Sequence, residues 1–208
     1  LDEVSQSLVD SCFHISIAKL LAGTFIFRAR PGRGFYRPNE LSYNPKGIGN
    51  NRFERASLPG DVVFYGCIAD KTTQLESCRF MGLGECSSLM RDISSIGREF
   101  VTFGRWRTLH ELKVATFITD KTYLKEQNNR HLHFFREYFA QKKTALSQEI
   151  LDMAYFFASE FEKSVKIGED WNYKITANLA HDIFLNKMAD AIVFPSVPAG
   201  GQGGLNIA

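Results

Sequence analysis

Most of the features that would assign this chain to a class at once are missing from it. There are 4 cysteines in 208 residues, Cys12, Cys67, Cys78 and Cys86. They form no CxxC pair, and no histidine stands at a metal-ligand spacing from them, so a structural metal site is not expected. In a chain this long they read as reduced, mostly buried thiols rather than a disulfide framework. No run approaches the roughly eighteen apolar residues of a membrane span, so no membrane role is expected. An excess of one charge is missing too. The 25 Lys+Arg stand against 23 Asp+Glu, a net charge of +2, too even to argue for nucleic acid or an acidic membrane surface as a partner. The chain opens Leu1-Asp2 with neither an initiator methionine nor a basic leader, so no secretory signal is read and a cytoplasmic setting is expected. It stops inside an apolar run at Ala208, which suggests a trimmed product or a piece of a longer protein.

The common chemical signatures are also absent. No GxGxxG links a strand to a helix, no GxxxxGK[ST] occurs, and there is no GxSxG nucleophile elbow. His131 and His133 are two positions apart, which on a helix turns their imidazoles about 200° from each other, too far to share a metal. They read as surface histidines. Lys142-Lys143 and Arg105-Trp106-Arg107 read as solvated faces. Neither a repeat nor a low-complexity tract appears.

What remains is an ordinary globular composition, 44% hydrophobic, 13% aromatic and 23% charged, long enough for one generous domain or one domain with a helical extension. Burying roughly 70% of the unfolded surface is normal at this size, so a core needs no covalent staples. Val4, Leu8, Cys12 and Ile15 share a face at helical spacing, which predicts a helix over 4–21 ended by Gly23. "TFIFRAR" (24–30) reads as a strand. The segment from Pro31 to Gly60 carries Pro31, Pro38, Pro45 and Pro59 with many Gly and Asn. It reads as a long loop, and its four arginines (33, 37, 52 and 55) favour a functional one.

"DVVFYGCIA" (61–69) is the next predicted strand and "KTTQLESCRFM" (71–81) the next helix. Residues 99–118 read as one or two strands with a break near Gly104. Helical pattern runs from Lys125 to Ile167, with Ile150, Ala154, Phe157, Phe161 and Val165 as a core stripe. It resumes over 172–188 around Ile175, Leu179 and Ile183. "DAIVFPSV" (190–197) reads as a buried strand, and a glycine-rich turn leads to "LNIA". Strands, then helices, then strands again indicate an α+β fold with mostly non-local pairing.

Five polar residues stand where ligand-facing groups are often found. Arg28 lies inside an apolar strand and needs an anionic partner, whether a structural salt bridge or a ligand. Arg55 ends the long loop, and Tyr65 ends the strand after it. Glu76 sits early in the following helix, and Ser196 follows Pro195 at the end of a buried strand. Each has a plain structural explanation alone. As a set they suit a substrate with phosphates and a ribose: arginine forks for phosphate, an aromatic face for a base or nicotinamide ring, and a carboxylate for a ribose hydroxyl and for positive charge growing at the anomeric carbon.

Two blocks carry a resemblance to a known family. "IFRAR" is followed, beyond the long loop, by "RASLPGDVVFYGCIADKTTQLES". Further on comes "YKITANLAHDIFLNKMADAIVFPSVPAGGQGGLNIA". In order and spacing they resemble the RES-domain proteins, named for arginine, glutamate and serine, over about residues 24 to 208. The resemblance implies an ADP-ribosyltransferase-like fold, two perpendicular β-sheets around a cleft with helices outside. It implies a toxin that consumes NAD, by phosphorolysis or hydrolysis of the nicotinamide–ribose bond, and an Xre-type antitoxin that covers the site. NAD is then a substrate rather than a prosthetic group, inorganic phosphate a candidate co-substrate, and a homodimer an open possibility.

Carried over residue by residue, the resemblance puts Arg28 and Arg55 on the phosphates, Tyr65 on the cofactor, and Glu76 on the ribose as the catalytic carboxylate. Ser196 completes the pocket floor, with Asn206 beside it. Residues 24–208 form the catalytic domain, and residues 1–23 a helical extension that is the remnant of an upstream domain. Some positions depart from the family pattern: Ser57 stands where a polar Asn is usual, and Ala191 replaces a frequent glycine. Glu85, nine residues after Glu76, is the alternative carboxylate if the helix breaks at Gly82. Two other functions stand beside NAD cleavage: ADP-ribosyl transfer to a protein, and non-catalytic nucleotide binding.

Overall fold

The computed structural model describes residues 17–43, 51–69, 75–91, 94–122, 129–166, 168–197 and 204–208, the side chains of 75–77, 88 and 91 excepted. Of the predicted helix over 4–21, residues 4–16 lie outside these residues. At its predicted end the chain is a strand instead: β1 (Ile17–Leu20) pairs antiparallel with β5 (Leu112–Thr116) from Ile17↔Ala115 to Leu20↔Leu112. Edge pairing and the burial of Ala18 and Leu20 override the helical spacing here. The main sheet therefore begins before residue 24.

Seven strands make one mixed sheet in the order β1-β5-β6-β7-β3-β2-β4. The others are β2 (Phe25–Pro31), β3 (Gly66–Ala69), β4 (Val101–Arg107), β6 (Ala191–Pro195) and β7 (Leu205–Ile207). Among the described strands, only β5 and β6 run parallel. The fold is α+β, as the strand–helix–strand pattern indicates. Where two sheets were expected, the ladder is continuous. Its two halves, β1-β5-β6 and β3-β2-β4, are joined through the three residues of β7, each paired to both neighbours.

The predicted break at Gly104 is absent. Gly104 lies inside β4 opposite Arg28, and the strand ends three residues later. A Cβ at 104 would lie 3.2 Å from Trp106 Nε1 and 3.3 Å from a Leu41 methyl, so the glycine serves close packing, not a turn. The predicted strand over 61–69 is shorter as well, since only 66–69 joins the ladder.

Helices of three turns or more cover both faces: α1 (Leu75–Cys86), α3 (Arg130–Lys142), α4 (Gln148–Glu162) and α5 (Lys174–Leu185), with a one-turn α2 (Ser88–Arg91). Strand alternation decides which core each residue joins. From β6, Ala191 and Val193 pack with Leu132 and Phe135 of α3. Ile192 and Phe194 pack with Phe161 of α4 and with Leu179, Ala180 and Ile183 of α5. On the α4/α5 face, further along the sheet, Phe27, Cys67 and Ala69 pack under Cys78 and Met81 of α1. On that face, α1 and the α4–α5 pair stand over different strands, with β7 between them.

Helix ends follow ordinary chemistry. Asn129 caps α3 through Leu132 N at 3.2 Å, and Ser147 caps α4 through Ile150 N at 3.5 Å. Asp120 clamps the 119–122 loop onto both helices. Its carboxylate meets Lys143 Nζ and accepts from the Tyr155 hydroxyl at 2.9 Å, and its carbonyl accepts from Arg136 at 2.9 Å.

Candidate functional site

Between α1 and the α4–α5 side lies a cavity of about 790 Å³. Its lining includes Arg28, Arg55, Tyr65, Glu85, Cys67 and Asn206, so residues far apart in sequence converge there. Ser196, buried at 4% exposure, stands behind Glu85.

The helix brings Glu85 in by its own periodicity. Cys78, Met81, Gly82 and Glu85 recur at i, i+3, i+4 and i+7, one face of α1. The first three are buried against the sheet. A Cβ at Gly82 would touch the Ala29 methyl at 3.1 Å, and a side chain at Gly204 would collide with Met81. These two glycines let the helix sit close on β2 and on the entry to β7. The helix runs unbroken through Gly82 to Cys86, so Glu85 needs no break to enter the cleft.

Its carboxylate is held firmly. Oε1 accepts from Ser196 Oγ at 2.7 Å and from Asn206 Nδ2 at 2.6 Å, while Oε2 makes no hydrogen bond among the described residues. Asn206 is tied in turn by Cys67, whose Sγ donates to Oδ1 at 3.3 Å. Burial, and after it the charge of Glu85, pushes the Cys67 thiol far up. Burial alone pushes Cys78 up to about 11. Cys67 and Cys78 are reduced, buried thiols, as the scattered spacing indicated, and Cys12 lies outside the described residues.

Among the described residues Arg28 has no carboxylate partner. Nη1 donates to the Tyr65 carbonyl at 2.7 Å, its guanidinium lies 5.0 Å from the Phe64 ring centre, and Nε is buried with nothing to bond. Burial, and next the nearby Arg30, pulls its pKa down, as expected of a cation lacking its anion. This bond also explains the shortened strand: the β2–β3 ladder stops at Phe27↔Cys67, and the Tyr65 carbonyl is taken by a side chain instead.

Arg55 lines the same cavity, but its guanidinium is engaged. Nη1 donates to Phe161 O at 2.5 Å, and Nη2 to Lys163 O at 2.9 Å and to the Tyr173 hydroxyl at 3.3 Å. It also lies over the Tyr173 ring at 4.8 Å. It therefore closes the C-terminal end of α4, where a cation meets the negative end of the helix dipole. Tyr65 is similarly committed at its tip. The hydroxyl accepts from Ala56 N at 3.0 Å and pairs with Ser57 Oγ at 3.0 Å, and its pKa is pushed well up by burial and then by Glu54. The ring keeps partial exposure on the cavity side. Ser57 thus fastens the tyrosine.

The backbone of Glu76 lies in the first turn of α1 and its side chain outside the described residues. Sequence reasoning missed Glu54, Arg30, Cys67 and Tyr173, all in the lining. Cys67 carried a usable signal, since it alternates with Gly66 and Ile68 on a buried strand. Among the described residues no group of three His, Cys, Asp or Glu could hold a metal, and no helix is long and apolar enough to cross a membrane. Comparison with protein-family models, curated proteins and solved structures finds no match to this chain.

Proposed function

We propose that this protein cleaves the nicotinamide–ribose bond of NAD, with the RES-like architecture that its two sequence blocks resemble and an ADP-ribosyltransferase-like cleft. The observation that carries this reading is the pairing, in one cavity, of Arg28 and Glu85. Among the described residues, Arg28 has a buried Nε without a partner, and Glu85 has one oxygen held by two donors and the other without one. A diphosphate supplies the anion that the desolvated guanidinium lacks. The free carboxylate oxygen is suited to a ribose hydroxyl, and the volume falls in the range of small-molecule sites.

In this mechanism the bond between C1′ and the nicotinamide nitrogen breaks. Its electron pair leaves with nicotinamide, and positive charge spreads over C1′ and the ring oxygen. Glu85 stabilises that charge, and because Ser196 and Asn206 already hold it in place, little reorganisation is required. Water or inorganic phosphate then attacks C1′ and releases its proton to solvent. Glu85, rather than Glu76, is the catalytic carboxylate of this proposal. A neutralising protein of the Xre type would cover the cleft mouth.

The test is incubation with NAD, with and without inorganic phosphate, followed by assay of free nicotinamide. Release in either condition supports the reading, and dependence on phosphate identifies the acceptor. No release in both conditions overturns it.

A further inference from the structure

Cys67 on β3 and Asn206 on β7 are directly paired in register, on the face beneath α1. A chain of contacts runs from Cys67 Sγ to Asn206 Oδ1 at 3.3 Å, and from Asn206 Nδ2 to Glu85 Oε1 at 2.6 Å. We infer that Cys67 is a positioning residue: its thiol fixes which end of the Asn206 amide faces Glu85, and so holds that carboxylate in its working orientation. The inference rests on Glu85 being the reactive carboxylate of the proposed NAD cleavage.

The two ends of a side-chain amide are nearly the same size but opposite in hydrogen-bonding sense. With the amide turned over, Oδ1 would stand against a carboxylate oxygen at the distance now filled by Nδ2, an oxygen–oxygen contact without a proton. Asn206 is buried at 5% exposure, so solvent does little to choose between the two settings. Among the described residues, Cys67 is the group that donates to Oδ1. Because burial and Glu85 push its pKa up, the thiol keeps its proton across the neutral range and donates throughout it. A thiol is a weak donor, so its contribution is to orientation and not to bulk stability.

The experiment compares Cys67→Ala and Cys67→Ser with the wild type. Serine retains a donor at the same place and alanine does not. Under the positioning role, Cys67→Ala lowers kcat about 3- to 10-fold, the value of one neutral hydrogen bond, with KM little changed, and Cys67→Ser restores it. A packing role gives the reverse order, because a hydroxyl is the worse guest in an apolar core. A second readout needs no substrate: hydrogen exchange of the Asn206 side-chain amide by NMR, expected to be slow in wild type and Cys67→Ser and faster in Cys67→Ala. This separates failure of the inference from failure of the NAD reading. Equal exchange in Cys67→Ala and Cys67→Ser overturns the inference whatever the activity. If neither variant folds, the wild-type amide decides, since fast exchange there overturns it and two slow, well-separated proton signals support it.

Discussion

Arg28 and Arg55 line one cavity, yet the two walls they belong to are built on opposite principles. On the wall of β2, β3, β7 and α1, polar groups have capacity to spare among the described residues: a buried guanidinium nitrogen without a partner and a carboxylate oxygen without a donor. On the wall made by the 51–65 loop and the end of α4, comparable groups are used up. Arg55 closes a helix, and Tyr65 and Ser57 close a loop. Residue type alone therefore does not mark a ligand site. Unsatisfied hydrogen-bonding capacity, held in place by groups that are satisfied, is the better mark.

The largest effect should come from Glu85→Gln, which keeps the shape and removes the charge. NAD cleavage is expected to fall about 100-fold or more, with the unfolding midpoint nearly unchanged. Equal activity would make the first wall as structural as the second. Arg28→Met should come next. NAD affinity should weaken by roughly 10- to 100-fold, the scale of a lost charged hydrogen bond, while thermal stability holds or rises because a desolvated cation is gone.

Arg55→Met is the counterpart on the other wall. Losing the bonds to two backbone carbonyls should cost about 2–3 kcal/mol of stability, or roughly 4–12 °C in the unfolding midpoint for a chain of this size. The folded fraction should keep most of its NAD affinity. If instead the affinity collapses and the melting point stays, the contrast between the walls is wrong.

The smallest effect lies away from both walls, at the Asp120 clamp. Burial raises the pKa of Asp120, but bonds from Lys143 and Tyr155 outweigh it and the folded value lies below the ordinary 3.8. A depressed carboxylate stabilises the fold above its unfolded pKa and loses that contribution as pH falls through the folded one. Asp120→Asn should therefore melt slightly lower than the wild type near neutral pH, since ion pairs near the surface contribute little, with the gap closing in strong acid. A gap that persists there would show that the charge is not what stabilises the clamp.

Much of the scaffold was legible because its periodicities are strong. The alternating runs of β2 and β6 and the apolar stripes of α4 and α5 lie close to where they were read. Within the stripes, Ala154, Phe161, Leu179 and Ile183 are buried, whereas Ile175 is exposed. What escaped was decided by partners distant in sequence. "IAKL" is a strand because β5 is beside it, and 61–65 leaves the sheet because Arg28 takes a carbonyl there. Gly104 stays in a strand because Leu41 and Trp106 need the room. Arg28 was legible as a cation needing a partner, and Ser196, read as the pocket floor, stands behind Glu85 and outside the cavity lining. The choice of Glu85 could have been read from the Cys78, Met81, Gly82, Glu85 series, but the work of Arg55 could not, since its acceptors are more than 100 residues downstream.

Strand β7 lies in the middle of the sheet yet is the last of the seven described strands to be synthesised. A ribosome that has already released Arg28, Cys67 and Glu85 must still add Ser196 and Asn206 before Glu85 has either donor. Until then the edge of β3 has no neighbour on that side and must be kept from pairing with other chains. If the protein does destroy a cofactor on which its own host depends, this ordering gives a delay between translation and harm. No nascent chain short of residue 206 could carry the assembled site.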